Sequence, residues 1–526
     1  MATRISRRAF VGMVPGGALA LLSAAVLGAP GTRARAASAG RTDFPAIVVG
    51  SGFGGSVAAL RLGRAGVETL VLERGRQWPV SPWKQVFGSQ ERVDGRMFWY
   101  RGQARWPFTE SRQLRRGPGV MEVSEESGLD IACGAAVGGG SVVCTGVVVA
   151  PPRKYFEALY PRGLSYDEMA ATWFPRASAL LRASRMPSDV YASAPFTHAR
   201  VWDQQMVRAG FRPRPLESLF DWRVVRQELA GRVRPSAIAG ETDFGCGNGA
   251  KQSLDRTCLP AALATGHVRL RPLSEVRSVG RRHRDGRWVL EVRQHTEDGR
   301  VADTVEYTCE RLFVCAGTLN TNRLLVAARD TGALPDLPAA LGAGFGDNGD
   351  QFSARTYLGP SGPSQGAPSA STAFFDSRFG LPLRVENWQL LTLRDKPAVV
   401  TLAMTADLEH RGVFRYDPVL KRVRLADWSA SRSEAAAAAM TAYNDTVAAA
   451  SPATLPLAYT EPLTAHPVGG CAIGRCTDLE GRVHGYRNLY VLDASLIPGS
   501  VGGANPSLTV TALAERAMAT IIARSG

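Results

Sequence analysis

The clearest structural signals begin shortly after the N-terminal segment. Four apolar residues, Ala46–Val49, precede the glycine-rich stretch Gly50–Gly55, after which apolar residues recur at helical spacing as far as Ala65. A second apolar run, Thr69–Leu72, ends at Glu73. Short branched apolar runs are typical of buried parallel strands. The pattern predicts a strand–helix–strand unit with a glycine loop at its first turn.

Strand signals return in the middle and near the end of the chain. Trp288–Val292 and Val301–Val305 flank the turn dipeptide Asp298-Gly299, and together they predict a β-hairpin. Leu312–Cys315 and Leu489–Leu492 have the pattern of two further buried strands. Because similar strand signals are separated by other material, the sequence predicts two interleaved lobes rather than two consecutive domains.

The first 36 residues have the pattern of an export signal. Ser6–Phe10 contains the twin-arginine pair, an uncharged stretch with several glycines and prolines follows, and Ala34-Arg35-Ala36 is a small-x-small cleavage site. We expect a twin-arginine signal peptide over residues 1–36 and a secreted, extracellular protein that leaves the cytoplasm already folded. An uncleaved membrane anchor is the alternative, against which the helix-breaking residues argue.

The composition is that of a globular protein with a surplus of positive charge. The 526 residues suffice for two large lobes, and 45% of them are hydrophobic and 21% charged. The net charge is +15, but five arginines and no acidic residue lie in the predicted signal, which leaves 57 basic and 47 acidic residues, or +10. Because the basic residues are scattered, we expect no nucleic-acid partner; transient contact with an anionic membrane surface stays open.

Cysteines add little to this picture. Eight cysteines are too few for a disulfide-stapled fold in a chain of this length, and no spacing of cysteine and histidine predicts a metal site. Cys471 and Cys476 could form a local disulfide after export, with two free thiols as the alternative.

The glycine loop has the spacing of a dinucleotide-binding fingerprint. Gly50 allows the tight turn after the strand, Gly52 lets the backbone approach a pyrophosphate, and Gly55 allows close helix–strand packing. Glu73 stands where an acid accepts hydrogen bonds from an adenosine ribose. Because strand, loop, helix, strand and acid occur in order, dinucleotide binding is favoured over a chance glycine-rich loop.

Two considerations favour FAD over a nicotinamide. An exported protein has no useful supply of diffusible nicotinamide, whereas a tightly held flavin travels with the folded protein. A second glycine-rich loop, Gly138–Ser141, offers more backbone amides to a long cofactor. A nicotinamide dehydrogenase would use the same first loop but would leave the second one unexplained.

The chain resembles the glucose–methanol–choline (GMC) oxidoreductase family, and within it the bacterial cholesterol oxidase branch. Matching motifs occur in the expected order over most of the chain: Val48–Gly54, Gly138–Ser141, Lys251–Asp255, Ala465–Cys471, Asp493–Gly502 and Asn505-Pro506. The resemblance implies non-covalently bound FAD, for which we expect these binding residues: Gly50, Ser51, Gly52, Gly54, Gly55, Glu73, Gly138, Gly139, Gly140, Ser141, Cys144, Val276, Asp493, Asn505 and Pro506.

The same resemblance implies a catalytic pair, His466 and Asn505, beside the isoalloxazine. An imidazole can bind a substrate hydroxyl and take its proton while hydride leaves the carbinol carbon for flavin N5. An amide can orient the substrate oxygen without titrating. The structural alternatives are a histidine satisfied within a turn and, for Asn505, an N-cap of the helix predicted over residues 506–522.

Glu386 is a third candidate that the resemblance suggests. In the cholesterol oxidase branch a cavity glutamate moves a proton during double-bond isomerisation, and Glu386 falls near the matching place, although the local match is poor. Burial between apolar neighbours would raise its pKa and suit it to that task. A surface glutamate, or one paired with Arg384, is the alternative.

Several positions depart from the family pattern. Thr464-Ala465 replaces the usual aromatic residue before the histidine motif, Cys144 replaces an asparagine near the flavin, and one extra residue precedes Asn505. The segment from Trp78 to Glu126, expected to form loops over the substrate cavity, matches least. Its aromatic-rich part, Trp78–Phe108, is either core packing or the mouth of an apolar cavity, and the mouth is favoured. These departures leave the expected flavin chemistry intact but put the sterol substrate in doubt.

The expected fold is α/β. A Rossmann-type FAD-binding domain (residues 44–77, 250–340 and 480–526) is interleaved with a substrate-binding domain of antiparallel sheet plus helices (residues 78–249 and 341–479). We expect an oxidase that passes hydride from a secondary alcohol of a sterol-like apolar substrate to FAD, with O2 as acceptor and H2O2 as product, and that isomerises a double bond if Glu386 acts as a base. The alternatives are the same chemistry on a secondary metabolite such as a polyketide alcohol, and a non-catalytic flavin carrier.

Overall fold

The structure is a computed structural model that describes residues 41–89, 93–104, 112–359, 361–389, 397–458 and 462–524. The predicted export signal, residues 1–36, lies outside these ranges, as do Trp106 and Phe108 of the aromatic-rich segment. Within the described ranges, no helix combines the length and the apolar composition that crossing a membrane requires.

A seven-stranded sheet contains the strand–helix–strand unit predicted at the start of the chain. Its strands are β1 (Asp43–Val49), β2 (Thr69–Leu72), β11 (Val268–Arg271), β12 (Ser274–Arg281), β13 (Trp288–His295), β14 (Val301–Val314) and β24 (Leu489–Val491). The order across the sheet is β11, β2, β1, β14, β13 and β12, and β24 also pairs with β14. Strands β11, β2, β1, β14 and β24 pair in parallel, and the predicted hairpin forms between β13 and β14.

Strand β14 is longer than the apolar pattern predicted. The two predicted strands Val301–Val305 and Leu312–Cys315 belong to one strand of 14 residues that ends at Val314. Its first part pairs antiparallel with β13, and from Thr308 onward it pairs parallel with β1. This double pairing buries Tyr307 completely and extends the strand through residues that lie between the two apolar runs.

Helices cover the seven-stranded sheet. Side chains of the first, tenth and last α-helices belong to the same buried apolar cluster as the parallel strands. The α-helices are α1 (Phe53–Arg64), α2 (Gly140–Val143), α3 (Arg153–Leu159), α4 (Tyr166–Glu168), α5 (Phe174–Leu180), α6 (Ser188–Tyr191), α7 (Thr197–Arg208), α8 (Trp222–Leu229), α9 (Cys258–Leu263), α10 (Gly317–Asp330), α11 (Glu434–Ala449) and α12 (Pro506–Ala523). Helix α1 packs against α9 and α12, so the N- and C-terminal parts of the fold share one core.

A separate six-stranded antiparallel sheet faces the cavity described below. Its strands are β9 (Arg214–Pro215), β16 (Gln351–Thr356), β17 (Ser371–Phe379), β18 (Leu381–Trp388), β19 (Ala398–Thr405) and β22 (Pro456–Ala458). Because side chains alternate along a strand, Leu383 and Val385 of β18 pack against α7 and α11, whereas Trp388 lies on the opposite face. That opposite face forms part of the cavity wall.

Smaller sheets connect these layers. One joins β5 (Met121–Glu126), β6 (Leu129–Gly134) and β23 (Leu463–Thr464), and another joins β15 (Ala343–Phe345), β20 (Gly412–Asp417) and β21 (Arg422–Leu425). The remaining two consist of β7 (Val147–Val148), β8 (Ser184–Arg185) and β10 (Glu217–Ser218), and of β3 (Gln103–Ala104) with β4 (Arg112–Gln113).

The predicted α/β fold is confirmed, with a largely parallel sheet beside an antiparallel sheet. The strands of the seven-stranded sheet come from the segments predicted for the FAD-binding domain, and those of the six-stranded sheet come from the other segments. The residue boundaries of the two domains stay a prediction.

The aromatic-rich segment contributes mainly to core packing. Trp78, Phe87 and Phe98 lie in a buried apolar cluster that includes side chains of the six-stranded sheet. Trp99 lines the cavity, whereas Trp83 is 67% exposed. The described part of this segment therefore forms a packed layer over the sheet.

All eight cysteines are free thiols. Cys471 and Cys476, which could bridge locally, are both buried, and their side chains lie within hydrogen-bonding reach of each other.

Candidate active site

A cavity of about 580 Å³ joins the predicted cofactor residues to the predicted catalytic pair. The glycine loop Gly50–Gly54 and Glu73 line one part of it, and Val276 contributes from β12. His466 and Asn505 line the same cavity, although they follow the first loop by more than 400 positions in the sequence. Residues from the start, middle and end of the chain thus face one space.

The first glycine loop brings backbone segments into direct contact. Gly50 has a φ of +95°, and a Cβ at this position would lie 2.3 Å from the carbonyl oxygen of Cys315. A Cβ on Gly54 would lie 1.5 Å from the carbonyl oxygen of Leu492. No side chain fits at either position, so glycine is what allows α1 to begin directly against the ends of β14 and β24.

The N-terminus of α1 can bind an anion. Gly52 is the N-cap residue and has no side chain to cap the helix. The first-turn amides, including those of Phe53 and Gly54, have no intrahelical acceptor by geometry, and both residues line the cavity. Free amides and the positive end of the helix dipole together fit a pyrophosphate.

The second glycine loop packs against the first. A Cβ on Gly139 would lie 2.6 Å from the Cα atom of Gly52, and Gly139 has a φ of +55°. The Gly138 amide donates to Ser51 Oγ at 3.0 Å. Ser141 Oγ donates to the Gly138 carbonyl oxygen at 2.6 Å and so closes the loop on itself. The two loops form one continuous backbone surface.

The predicted cofactor residues fall into two groups. The cavity is lined by Gly50, Ser51, Gly52, Gly54, Glu73, Gly139, Gly140, Cys144, Val276, Asp493, Asn505 and Pro506. The remaining three, Gly55, Gly138 and Ser141, do not line the cavity. They make close contacts or hydrogen bonds that shape the two glycine loops. A Cβ on Gly55 would lie 2.1 Å from the Gly50 carbonyl oxygen, so this glycine permits the close approach of α1 to β1.

Glu73 ties the first loop to the end of β2. Its Oε2 atom accepts hydrogen bonds from the Ser51 amide at 3.0 Å and from Ser51 Oγ at 2.7 Å, and its Oε1 atom accepts one from the Gly75 amide at 2.8 Å. Burial raises the pKa of Glu73, and these donors oppose that effect. Because a carboxylate has about four acceptor sites, Oε1 can still receive a ligand hydroxyl.

Asp493 links β24 to the start of α10. Its Oδ2 atom accepts from the Gly317 amide at 2.9 Å and from Thr321 Oγ1 at 2.5 Å. Its Oδ1 atom accepts from the amide and the hydroxyl of Ser495 at 2.9 and 2.6 Å. Asp493 thus positions the backbone at this part of the cavity wall.

His466 lies just after β23, with its side chain 13% exposed. Its Nδ1 atom is 2.9 Å from Oδ1 of Asp350, which leaves Nε2 as the ring nitrogen available to a ligand in the cavity. Burial lowers the pKa of His466, but the charge and hydrogen bond of Asp350 outweigh burial, so the pKa is raised overall. Asp350 lies 116 residues away in the chain and belongs to no motif, so no sequence pattern pointed to it.

Asn505 occupies the predicted N-cap position of α12, but its side chain makes no capping hydrogen bond. Its Nδ2 atom instead donates to Oε2 of Glu386 at 3.4 Å. Its Oδ1 atom is buried and finds no partner within the described part of the chain. The capping alternative is therefore wrong for the side chain, and the amide group is available to a ligand in the cavity.

Glu386 lies on β18 and is 1% exposed. Burial raises the pKa of Glu386 to about 7, against the opposing charge of Arg384. Within the described ranges Arg384 makes no ion pair with Glu386, and its Nε atom donates to the Gly503 carbonyl oxygen at 2.6 Å. Both alternatives, a surface glutamate and an ion-paired one, are therefore wrong. Glu386 is not one of the residues that line the cavity; it contacts Asn505, which does.

Two glycines allow the backbone to accommodate the extra residue before Asn505. Gly502 and Gly503 have φ values of +81° and +74°, a backbone conformation that other residues rarely adopt. The chain can therefore double back within this segment and still place Asn505 at the start of α12.

Lys251 has a structural role that the matching motif did not reveal. It is fully buried, and its Nζ atom donates to the carbonyl oxygens of Val142, Cys144 and Thr242 at 2.6, 2.7 and 3.0 Å. Burial lowers the pKa of Lys251. The lysine thus anchors the segment after the second glycine loop, including Cys144 at the cavity wall.

Comparison with known proteins relates the chain to a family and to a known fold. Two family models described as GMC oxidoreductase match the chain, one over residues 46–328 and the other over residues 415–514. Curated relatives include cholesterol oxidases from Mycobacterium tuberculosis, 26% identical over 91% of both chains, and from Acinetobacter baumannii, 24% identical over 92% of this chain and 95% of the relative. Among solved structures, pyridoxine 4-oxidase from Mesorbium loti has a similar fold, with a TM-score of 0.59 and 17% identity over 91% of this chain and 99% of the other.

We predict that Gly139→Ala lowers the FAD content of the purified protein. The added Cβ would lie 2.6 Å from the Gly52 Cα atom and force the two glycine loops apart. Gly128→Ala is the matched control, because Gly128 has a φ of +85° but nothing lies within 4 Å of its added Cβ. Gly139 combines a φ of +55° with a ψ of −137°, a conformation essentially confined to glycine, so backbone strain adds to the clash in Gly139→Ala. The ratio of released FAD to protein checks the prediction, and equal ratios in the two variants would contradict it.

Proposed function

The chain belongs to the GMC oxidoreductase family, and on that premise we propose that it is an FAD-dependent oxidase of a secondary alcohol in a sterol-like, largely apolar substrate. Members of this family oxidise CH–OH groups and depend on FAD, so an alcohol substrate and FAD are expected here. The observation that carries the proposal is the single cavity that both glycine loops share with His466 and Asn505.

The donors and acceptors of this chain fit FAD held without a covalent bond. The first-turn amides of α1 would bind the pyrophosphate, and Glu73 would accept from the ribose. The orphaned Oδ1 atom of Asn505 marks the other part of the cavity, where the flavin ring would lie. When bound, FAD supplies the hydride acceptor and is reoxidised by O2, so that alcohol and O2 give ketone and H2O2.

His466 and Asn505 would have different roles in alcohol oxidation. His466 accepts the hydroxyl proton at Nε2 while hydride leaves the carbinol carbon. Asn505 uses one Nδ2 hydrogen toward Glu386 and can donate the other to the substrate oxygen, which holds the carbinol carbon in place. Loss of the hydroxyl proton and of the hydride leaves a carbonyl group.

An apolar wall supports a sterol-like substrate. Trp388 and Leu402 of the six-stranded sheet line the cavity, together with Met121 of β5. Flat apolar walls of this kind stabilise a hydrophobic ring system by removing it from water. The cholesterol oxidases among the relatives support the same substrate class.

A panel of alcohols tests the substrate and the catalytic pair together. Without O2, a sterol should reduce and bleach the flavin of the wild-type protein, and His466→Ala should slow this reduction by about 10²–10⁴-fold. His484→Ala is the control, because His484 is an exposed histidine. Rapid bleaching by a polyketide alcohol but not by the sterol would assign a secondary metabolite as the substrate. Unchanged reduction in His466→Ala would contradict the catalytic role.

We further propose that Glu386 moves a proton in isomerising a 5-ene-3-ketone to a 4-ene-3-one. Its pKa of about 7 would let the carboxyl take up and release a proton near neutral pH. Glu386→Gln should keep alcohol oxidation within about tenfold of wild type and stop isomerisation, so that the 5-ene-3-ketone accumulates.

The pH dependence of isomerisation supplies a second readout. The base form of Glu386 is the carboxylate, so the isomerisation rate should rise as pH increases through about 7. Chromatography of the two ketones measures it, with Glu157→Gln as the control because the Glu157 side chain is 53% exposed. Isomerisation at the wild-type rate in Glu386→Gln would eliminate this role.

We also propose that the protein is exported already folded, on the support of the twin-arginine pattern. Replacing Arg7 and Arg8 by lysine should retain the protein in the cytoplasm, whereas Arg4→Lys should not. Edman sequencing of the extracellular protein should begin at Ala37. A full-length chain in the membrane fraction would favour the uncleaved anchor instead.

A further inference from the structure

Residues of one tight turn contact His466 and the segment that leads into Asn505. The turn Asp347–Asp350 lies between β15 and β16, and Asn348 and Gly349 have consecutive positive φ values of +59° and +64°. The Asp350 amide donates to the Asp347 carbonyl oxygen at 3.4 Å. A Cβ on Gly349 would lie 1.9 Å from Oγ1 of Thr405, so the turn is pressed against β19.

Asp350 is held as a hydrogen-bond acceptor on both oxygens. Its Oδ2 atom accepts from the amides of Ala465 and His466 at 2.9 and 3.1 Å and from Thr464 Oγ1 at 3.1 Å. Backbone amides can only donate, so Oδ2 serves as an acceptor. Oδ1 lies 2.9 Å from His466 Nδ1, and a hydrogen bond in which Oδ1 accepts places the proton on Nδ1. The ring is thereby held as the tautomer with a bare Nε2.

Asn348 holds the other member of the pair from the same turn. Its Nδ2 atom donates to the Ala504 carbonyl oxygen at 3.0 Å, and its Oδ1 atom accepts from the Val501 amide at 2.9 Å. These bonds fix the segment that leads directly into Asn505. A displacement of the turn would therefore move His466 and Asn505 together.

Charged groups approach His466 from several elements. Asp350 comes from the turn, Glu386 from β18 with Arg384 beside it, and Asp347 and Arg411 lie behind Asp350. Burial lowers the pKa of His466, whereas Asp350 and then Glu386 raise it. Of these groups, Asp350 is the one in direct hydrogen-bond contact with the imidazole.

We propose that Asp350 is a positioning residue for the oxidation: it fixes the tautomer and orientation of His466 and balances the positive charge that forms when Nε2 takes the hydroxyl proton. The proton moves from the substrate oxygen to Nε2, the Nδ1 proton stays on the ring, and Asp350 stays a carboxylate throughout. This role rests on the proposed function and identifies a residue that acts through His466 without touching the substrate.

The matched pair Asp350→Asn and Asp347→Asn tests this role in the FAD-loaded protein. Both substitutions are isosteric, lie in the same turn and replace a buried carboxylate, but Asp347 bonds the Gly349 amide and Ser433 Oγ rather than His466. With an alcohol that reduces the wild-type flavin, Asp350→Asn should lower kcat by about 10²-fold or more. The acidic limb of the kcat/KM profile should move to lower pH by about one unit, because a neutral amide no longer supports the imidazolium.

Asp347→Asn should stay within about tenfold of the wild-type kcat and shift the acidic limb by less than half as much. Equal losses and equal profiles in the two variants would show that Asp350 only stabilises the turn, and would overturn the proposal. A wild-type profile in Asp350→Asn would overturn it as well.

Nuclear magnetic resonance of protein labelled with ¹⁵N-histidine gives a readout that needs no substrate. There are seven histidines, and the His466 signal is assigned as the one missing from His466→Gln. Above its pKa, His466 should be the Nδ1–H tautomer in the wild-type protein and in Asp347→Asn, and should lose this preference in Asp350→Asn. An unchanged tautomer in Asp350→Asn would refute the role of Asp350. A wild-type protein with the predicted tautomer whose flavin no alcohol reduces would refute the proposed function instead.

Discussion

Close packing of backbone against backbone at the carboxyl ends of the parallel strands is the constraint on which the cavity depends. Gly50, Gly54 and Gly139 each stand where a Cβ would lie within 3 Å of another backbone segment. Glycine there lets three remote parts of the chain meet without side chains between them. The free amides of α1 consequently open into a space that the second loop closes from the other side. A larger residue at any of these positions would separate the segments that together form the cavity wall.

The chemical groups of the site lie where the two main sheets meet. His466 and Asn505 come from segments on either side of β24, the last strand of the seven-stranded sheet. The acids that contact them, Asp350 and Glu386, come from the start of β16 and from β18 of the six-stranded sheet. Each member of the catalytic pair thus contacts a carboxyl group carried by, or directly preceding, a strand of the six-stranded sheet. The two acids differ in hydrogen bonding. Asp350 receives hydrogen bonds on both oxygens, whereas Glu386 is buried with one oxygen unpaired, and burial raises the pKa of Glu386 to about 7.

Local patterns account for what the sequence could predict. The strand–helix–strand unit, the β13–β14 hairpin and the start of α12 depend on periodicity, glycine and proline within a short window, and the structure contains all three. The resemblance to a known family directed attention to His466, Asn505 and Glu386. The structure places His466 and Asn505 in one cavity wall and Glu386 in contact with Asn505.

Long-range contacts account for the rest. Asp350 could not be recognised from the sequence, because its partner lies 116 residues away and the turn that presents it resembles an ordinary surface turn. The side chain of Asn505 leaves its expected capping bond because a buried carboxyl group lies within reach. Strand β14 runs on through polar residues because β1 and β13 pair with it on opposite sides. Each of these outcomes depends on a partner that is distant in sequence.

A crystal structure of the protein with its flavin bound would test the central claim most directly. The account predicts that the pyrophosphate lies against the first-turn amides of α1 and that the isoalloxazine ring lies beside both His466 and Asn505. A flavin ring that points away from these two side chains, or a pyrophosphate bound elsewhere than at the glycine loops, would contradict it.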